Sequence, residues 1–597
     1  MKFVADNKKI LIWLSIATLL LALLPVVDTM VTIGRDWKGV PMLYTDEVLY
    51  YAQVREVADG HPFFGNPYFY EHRESLTPAF FGSNWLASIP FFMGMSLPQA
   101  IVANFLFWSL VFVFAVFYLL RRLGVGGMWS ATGALFVFIQ SYLTAYRMSV
   151  RQEVFPFFFI FYITLFAWLE KPGDKKRIVA LAVSAGTSFY LYSFFWQVVV
   201  ATLGLVFIYA ILIRLIKFPS FNIPRPAISS VFFVGILSAV IASPVIYYTW
   251  LQTHTEFYWE AMGRFGLINT HVPTAEVVYS GSWVIILLVL FVLGWRWFPN
   301  IFSREKYSFI FVFLALTGLS MVCLQASNMI TGKELETAQH VKSFIVPWLA
   351  IGFFAWLAYS WKSIMKKGIR EMVLGTIALA LIVANIHFIL FITPFPVGET
   401  KNLRKDMQNY GPPLSWLEER EANPTVIWSD PENNITPYIP ALTKHYVLYA
   451  EPGNLNILSD SEVEDRYLTT RYFDGISTTT LKSEFALYAG RSRTYHYPKT
   501  LERKQKVCRI LGITEWEWCP TQIDKFELVG DAYFTRLIQK YKDNITPRIH
   551  EKLAAYHVRY ILVDKKQRPN VNPERLIGTV KEYDDGRFAI YRYEAKK

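Results

Sequence analysis

Residues 10–33 read ILIWLSIATLLLALLPVVDTMVTI, an apolar run that is long enough to cross a bilayer, which takes about 20 mostly apolar residues. Further runs of this kind follow along the first two thirds of the chain. They lie at residues 85–120, 128–146, 154–169, 178–190, 194–216, 227–250, 282–298, 309–326, 344–361 and 372–395. The part of the second run up to Pro98 is predicted to be interfacial, and a tight aromatic turn is predicted near Ser193. The sequence therefore predicts a polytopic α-helical membrane protein with about eleven transmembrane helices.

The composition agrees with a membrane protein. The chain has 597 residues, of which 53% are hydrophobic and 18% are charged, whereas a soluble protein carries about 25% charged residues. The net charge of +12 is largely explained by loop charges that orient the spans, so no nucleic-acid partner is expected. Three cysteines exclude a disulfide framework.

The charges of the short loops orient the predicted spans. With the N-terminus inside, six inner loops hold nineteen basic residues against four acidic ones, and basic residues favour the cytoplasmic side. The first run lacks a small-residue cleavage site, which indicates an uncleaved span rather than a signal peptide. Residues 1–395 are therefore a membrane domain of the plasma membrane with a long first outer loop, residues 34–84. The C-terminal domain, residues 396–597, is expected to be extracytoplasmic.

The C-terminal domain has the pattern of a soluble α/β domain. Helices are predicted at Leu403–Glu421, Ser461–Thr470 and Tyr533–Tyr541, strands at Thr425–Trp428, His445–Tyr449 and Val558–Val563, and a hairpin across Asp584-Asp585-Gly586. The basic run Arg491–Arg509 is either a solvated face or a contact for anionic lipid or polymer. Cys508 and Cys519 also lie here, and the sequence leaves open whether they pair.

The first outer loop contains an acidic pair, Asp46-Glu47, within the stretch Tyr44-Thr45-Asp46-Glu47-Val48-Leu49-Tyr50-Tyr51. The loop is longer than a connector between two spans requires. Helical spacing over Tyr44–Gly60 predicts an amphipathic helix along the membrane that begins at the acidic pair. Because carboxylates complement the dipole at a helix N-terminus, the pair serves either as a cap or as one half of an active site.

Other outer loops add candidate binding residues. Arg147 and Arg151 stand in an outer turn, against the charge rule, and arginine binds phosphate well. His340 and Lys342 stand at the mouth of a span, where they either bind a lipid-borne phosphate or reach the headgroups. The loop 251–281 carries possible acceptor or metal ligands, although a solvated loop is the alternative and the metal is unknown. These are His254, Glu256, Glu260 and His271.

The order of these features resembles the GT-C superfamily of membrane glycosyltransferases and, in layout, bacterial mannosyl and arabinosyl transferases. The resemblance rests on Thr45-Asp46-Glu47-x-x-Tyr50 after the first span, the Arg147/Arg151 turn and Gln339-His340-x-Lys342. It implies transfer of a sugar from a polyprenyl-phosphate or polyprenyl-diphosphate carrier to a glycan, lipid or protein acceptor. The chain departs from oligosaccharyltransferases, because it has no Trp-Trp-Asp-Tyr-Gly stretch, and Gln152-Glu153 stands where an acidic pair is expected.

The implied chemistry assigns a role to each residue. Asp46 would be the general base, because the acceptor hydroxyl loses a proton as it attacks, and Glu47 would support it. Arg147, Arg151, His340 and Lys342 would stabilise the departing lipid phosphate in an inverting single displacement. No cofactor is assigned with certainty, and a divalent cation, Mg or Mn, remains open. The alternatives are en bloc transfer of a glycan to protein, and a non-enzymatic transporter or envelope assembly protein.

Overall fold

The structure of the chain is a computed structural model. It describes residues 2–41, 47–78, 81–141, 149, 151–215, 225–297, 304–364, 399–431 and 434–594, together with isolated positions between 368 and 383.

The membrane half is built from helices. Their bounds are α1 (Lys2–Ile33), α2 (Glu47–Ala58), α3 (Phe81–Phe92), α4 (Leu97–Arg122), α5 (Gly127–Ser141), α6 (Arg151–Glu170), α7 (Lys175–Leu191), α8 (Ser193–Leu215), α9 (Ile228–Thr253), α10 (Tyr258–Phe265), α11 (Ala275–Trp297), α12 (Arg304–Gln325), α13 (Asn328–Thr331) and α14 (Thr337–Ile364). Two short strands, β1 (Ile268–Asn269) and β2 (Lys333–Glu334), pair antiparallel.

Eight helices of the described chain are long and apolar enough to cross a membrane. This finding supports an integral membrane protein. The expected count of about eleven spans is not reached among the described residues, where α7 has only 17 residues and α5 is described only as far as Ser141. The eleventh predicted span, residues 372–395, lies outside the described residues apart from isolated positions.

Local sequence sets several of the helix ends. Asp174 caps α7 by accepting a hydrogen bond from the backbone N–H of Lys176 at 2.9 Å, and Ser96 and Gln99 form a capping box at the start of α4. A single extended residue, Tyr192, separates α7 from α8. The prediction of a tight aromatic turn near Ser193 is thereby confirmed.

The first loop contains the predicted helix, α2, which begins at Glu47. Its orientation to the membrane stays a prediction, but it is more buried than an amphipathic helix at a surface. The side chains of Val48, Tyr51 and Val54 are fully buried in a core shared with α3 and with the C-terminal domain. Eight of the twelve residues of the helix are buried, and they include the polar residues Glu47, Gln53 and Glu56.

The C-terminal domain combines short helices with one sheet. Its helices are α15 (Glu399–Met407), α16 (Gly411–Arg420), α17 (Ile439–Leu442), α18 (Asp460–Thr470), α19 (Thr478–Ser483), α20 (Phe485–Ala489), α21 (Tyr497–Leu511), α22 (Gly530–Lys540) and α23 (Ile549–Ala555). Its strands are β3 (Val426–Ser429), β4 (Tyr446–Val447), β5 (Val558–Asp564), β6 (Thr579–Asp584) and β7 (Phe588–Tyr593).

The sheet has the order β4-β3-β5-β7-β6, with parallel pairs on either side of β3 and antiparallel pairs on either side of β7. The hairpin predicted across Asp584-Asp585-Gly586 is the β6–β7 turn. The helix predicted over Leu403–Glu421 is instead two helices, because Pro412 and Pro413 have no backbone N–H to continue α15. Cys508 and Cys519, whose pairing the sequence left open, form a disulfide.

The C-terminal domain packs on one side of the membrane half, which we name the domain side. Arg264 at the end of α10 is 2% exposed, and its guanidinium donates to the backbone oxygens of Asn454 at 2.8 Å and Asn456 at 3.0 Å and to the Asp460 carboxylate. Arg466 in α18 is fully buried and pairs with Glu71 of the first loop at 2.6 Å. The two halves are therefore joined through buried charges.

Candidate functional site

A small cavity on the domain side brings two of the predicted residues together. Arg151 and His340 both line it, with Tyr192, Ser343 and apolar residues of α6 and α14. Its volume is about 40 Å³, which is room for a few water molecules. A larger ligand therefore requires some of the lining side chains to move.

Three helix N-termini surround this cavity. Helix α6 begins at Arg151, α8 begins at Ser193 directly after Tyr192, and α14 begins at Thr337, one turn before His340. The backbone N–H groups of a first turn have no partner within the helix, and the helix dipole adds a partial positive charge there. A cationic guanidinium beside three such ends is well suited to bind a phosphate or another anion.

The ring of His340 is held on three sides. Its Nδ1 lies 2.8 Å from the Tyr192 hydroxyl, and its Nε2 lies 3.3 Å from Oε2 of Glu336. The ring also stacks on Phe194 with a centroid distance of 4.2 Å and an angle of 9° between the planes. His340 is consequently fixed in orientation at the wall of the cavity.

Glu336 joins this wall to the C-terminal domain. Its Oε1 lies 3.0 Å from Nε2 of His496, a buried residue that directly precedes α21. Burial alone would raise the pKa of Glu336, but the two neighbouring histidines hold it well below the usual range. The backbone of Glu336 is left-handed with φ 51°, a costly conformation for a residue other than glycine.

A buried polar chain links α2 to the turn before α6. Ser149, which also has a left-handed backbone with φ 66°, donates from its hydroxyl to Oδ1 of Asn84 at 2.7 Å. Asn84 in turn donates to Oε1 of Gln53 at 3.5 Å. Gln53 stands six residues after Glu47 on α2, so about 9 Å of helix separates it from Glu47. Helix α2 and the turn before α6 are thus joined through buried polar side chains.

Glu153 lies in the first turn of α6, two residues after Arg151, and is completely buried. The backbone amides of Ser149 and of Glu153 itself lie nearby. Within the described part of the chain, however, neither carboxylate oxygen has a hydrogen-bond partner. A buried carboxylate in this condition is costly, and an ionisable group near the end of a membrane span is a candidate functional residue.

The other predicted residues fall in different places. Asp46 and Arg147 lie outside the described residues. Glu47 is buried at the start of α2, close to Tyr438 of the C-terminal domain. The ammonium of Lys342 lies 5.3 Å above the ring of Tyr279 in α11, and Lys342 does not line the cavity.

The four candidates of the loop 251–281 each have a separate environment. Nδ1 of His254 lies 2.7 Å from the backbone oxygen of Trp250, and Nδ1 of His271 lies 3.1 Å from that of Met329. Glu260 accepts from the backbone N–H of Asp460, and Glu256 is exposed. Among the described residues, no group of three or more His, Cys, Asp or Glu side chains is arranged to hold a metal ion.

No family model matches the chain, and no curated protein matches it. The resemblance to the GT-C superfamily therefore stays a prediction. The structure adds residues that sequence reasoning missed, namely Tyr192, Glu336, His496, Asn84 and Ser149. One local signal was present, since Glu336 and His340 are four residues apart and so meet on one helical turn. The remaining contacts join residues that are distant in sequence.

Proposed function

We propose that the chain is a glycosyltransferase that moves a sugar from a polyprenyl-phosphate or polyprenyl-diphosphate carrier to an acceptor at the outer face of the membrane. The observation that carries the proposal is the cavity shared by Arg151 and His340 at the start of three helices. Such a site favours a phosphate group, and its place at the ends of candidate spans favours one attached to a lipid. The topology with an inner N-terminus and an extracytoplasmic C-terminal domain is part of this proposal.

The proposed reaction is a single displacement that inverts the anomeric centre. Asp46 takes the proton of the acceptor hydroxyl as its oxygen bonds to the anomeric carbon, and Glu47 supports Asp46. The bond from that carbon to the phosphate oxygen breaks, and its electron pair leaves with the carrier. Arg147, Arg151 and His340 stabilise the negative charge that grows on the phosphate. Lys342 faces Tyr279, so its contribution is expected to be small.

A divalent cation is compatible with this chemistry but is not required by it. The described residues hold no cluster of ligands, so no step is derived through a metal. The predicted acceptor or metal residues His254, Glu256, Glu260 and His271 have separate surroundings, as their contacts show. Acceptor recognition by this loop remains a proposal.

The test is transfer of labelled sugar from polyprenyl-phosphate donors to a mixture of envelope acceptors by purified variants. Asp46→Asn should lower the rate by about 10²–10⁴-fold, the usual contribution of a general base. Arg151→Gln should lower it by about 10²–10³-fold, because it removes charge stabilisation at the leaving group.

A matched control is Arg122, the last residue of α4, which lies at the far end of α6 from Arg151. Arg122 pairs with Glu170 at the opposite end of α6, so Arg122→Gln should leave the rate within a few-fold of the unmodified protein. Membrane insertion and elution volume must be unchanged in all three variants. Full transfer activity in Asp46→Asn would refute the assignment of the base.

A further inference from the structure

An apolar tip projects from the C-terminal domain at the end of α21. It consists of Ile510, Leu511, Trp516 and Trp518, whose exposed fractions are 74%, 63%, 63% and 45%. Large apolar side chains grouped on a surface indicate a contact with another apolar phase. Exposed residues of this kind are otherwise expected singly.

The tip is held in a fixed shape. The disulfide between Cys508 and Cys519 closes the loop that contains it. Inside the loop, the backbone N–H of Ile513 donates to Cys508 O at 3.0 Å, and that of Cys519 donates to Trp516 O at 2.8 Å. The tip therefore presents its side chains without first having to order a flexible loop.

The tip also stands at the level where two candidate spans end. Trp518 and Lys504 line a cavity of about 350 Å³ whose other wall is the segment 269–273 and Gly332. That segment leads directly into α11, and Asn328 just beyond α12 binds its backbone oxygens at Thr270 and Val272. The ends of these spans must lie at the headgroup region if the spans cross the membrane.

The composition of the tip fits the headgroup region better than the bilayer core. Tryptophan is enriched at membrane interfaces, and the ammonium of Lys504 lies 5.3 Å from the ring of Trp518. Lys506 and Arg509 are basic neighbours on α21, but Glu515 and Glu517 within the loop offset them. Contact through the apolar side chains is thus favoured over attraction to anionic lipid.

We propose that the apolar tip inserts into the phospholipid headgroup layer of the same bilayer that holds the spans, as a second anchor for the C-terminal domain. Its occupant is phospholipid rather than another protein. The anchor would hold α21, and with it His496 beside Glu336, at a fixed height above the cavity. The proposal does not depend on the reaction that the site performs.

The experiment uses the full chain in nanodiscs, with Cys323 replaced by Ala and a fluorophore on Glu515→Cys. Ile577→Cys, at an isoleucine that is 61% exposed in the segment between β5 and β6, is the matched control. Quenching by a nitroxide on the lipid headgroup is compared with quenching by iodide in water. We expect lipid quenching at position 515 and iodide quenching at position 577.

Phosphatidylcholine nanodiscs with and without phosphatidylglycerol distinguish insertion of the apolar side chains from electrostatic attraction to anionic lipid. Lipid quenching in both supports insertion of the apolar tip, and replacing Trp516 and Trp518 by Ser should reduce it by at least half. Quenching only with phosphatidylglycerol, or iodide quenching equal to that at position 577, would overturn the proposal. If position 515 is protected from iodide but is not quenched by the lipid nitroxide, the tip contacts a protein partner. That result would also overturn the proposal.

Discussion

Two buried ionisable groups on the domain side have opposite surroundings. The guanidinium of Arg264, where the two halves meet, donates to a carboxylate and to three backbone oxygens. The carboxylate of Glu153, beside the cavity, has no hydrogen-bond partner in the described part of the chain. Both are almost inaccessible to solvent.

The difference separates structure from candidate function. A buried charge whose donors are all bound can hold two domains in one arrangement, and removing it leaves its partners unpaired. A buried carboxyl group without hydrogen-bond partners weakens the fold, and it persists where some other requirement maintains it. Substitution of Arg264 is therefore expected to lower stability, and substitution of Glu153 is expected to lower activity.

The largest expected effect is at the joint. Arg264→Ala leaves Oδ1 of Asp460 and three backbone oxygens without the donor that binds them, which should cost about 3–5 kcal/mol. Arg493 binds the other oxygen of the same carboxylate at 3.0 Å and is 34% exposed, so Arg493→Ala should cost about 0–1 kcal/mol. Thermal unfolding and limited proteolysis between the halves measure both. If the two variants lose equal stability, the burial of Arg264 does not determine how much its ion pair contributes.

The second prediction concerns the pH dependence of stability where Glu462 of the C-terminal domain meets His72 of the first loop. Burial would raise the pKa of Glu462, but His72 and Arg466, each 2.9 Å away, lower it to about 2. Because the folded pKa lies below the unfolded value of about 4.3, the contribution to stability is present above pH 4.3. It is lost as the pH falls from there towards 2, and about 3 kcal/mol disappears in all.

Acid unfolding monitored by intrinsic fluorescence tests this prediction. The variant Glu462→Gln should lose stability less steeply below pH 4.3 than the unmodified chain. Glu502→Gln, an exposed carboxylate on α21, should follow the unmodified curve. If Glu462→Gln also follows it, the ion pairs with His72 and Arg466 do not couple protonation to folding.

Much of the fold follows from the sequence, because length and periodicity act locally. The runs of apolar residues correspond to helices, and the hairpin at Asp584-Asp585-Gly586 is correct because a turn needs only neighbouring residues. Within the described residues eight helices, not about eleven, are long and apolar enough to span a membrane, and α7 is apolar but has only 17 residues. The enclosure of α2 was missed as well, because it depends on α17, almost four hundred residues later.

The site was accessible from sequence only in part. The loop-charge rule and the position before a span identified Arg151 and His340 as candidate binding residues. In the structure both line one cavity. The contact between Glu336 and His496 joins two segments about 160 residues apart, so no local pattern indicates it. The loop candidates His254 and His271 looked equivalent in sequence, but they bind different backbone oxygens.

The third prediction addresses Glu153, the residue before the cavity-lining Val154. Glu153→Leu replaces a buried carboxylate without partners by an apolar side chain, which should raise stability by about 1–3 kcal/mol. Sugar transfer should fall at the same time if the carboxylate serves the reaction. Thermal unfolding and transfer measured on one preparation test both parts. If the variant instead unfolds at a lower temperature than the unmodified chain, the Glu153 side chain stabilises the fold, as Arg264 does.

The smallest expected effect is at Tyr192, whose hydroxyl lies 2.8 Å from Nδ1 of His340. Tyr192→Phe removes one hydrogen bond, worth about 0.5–1.5 kcal/mol, and should raise the KM for the lipid-linked donor by up to about tenfold. Tyr190 on the same segment donates instead to the backbone oxygen of Ile241 at 2.8 Å. Tyr190→Phe loses a similar bond that points away from the cavity, so its KM should not change. Because the two substitutions match in chemistry and position, an equal rise in KM would mean that packing around α7, rather than the orientation of His340, controls donor binding.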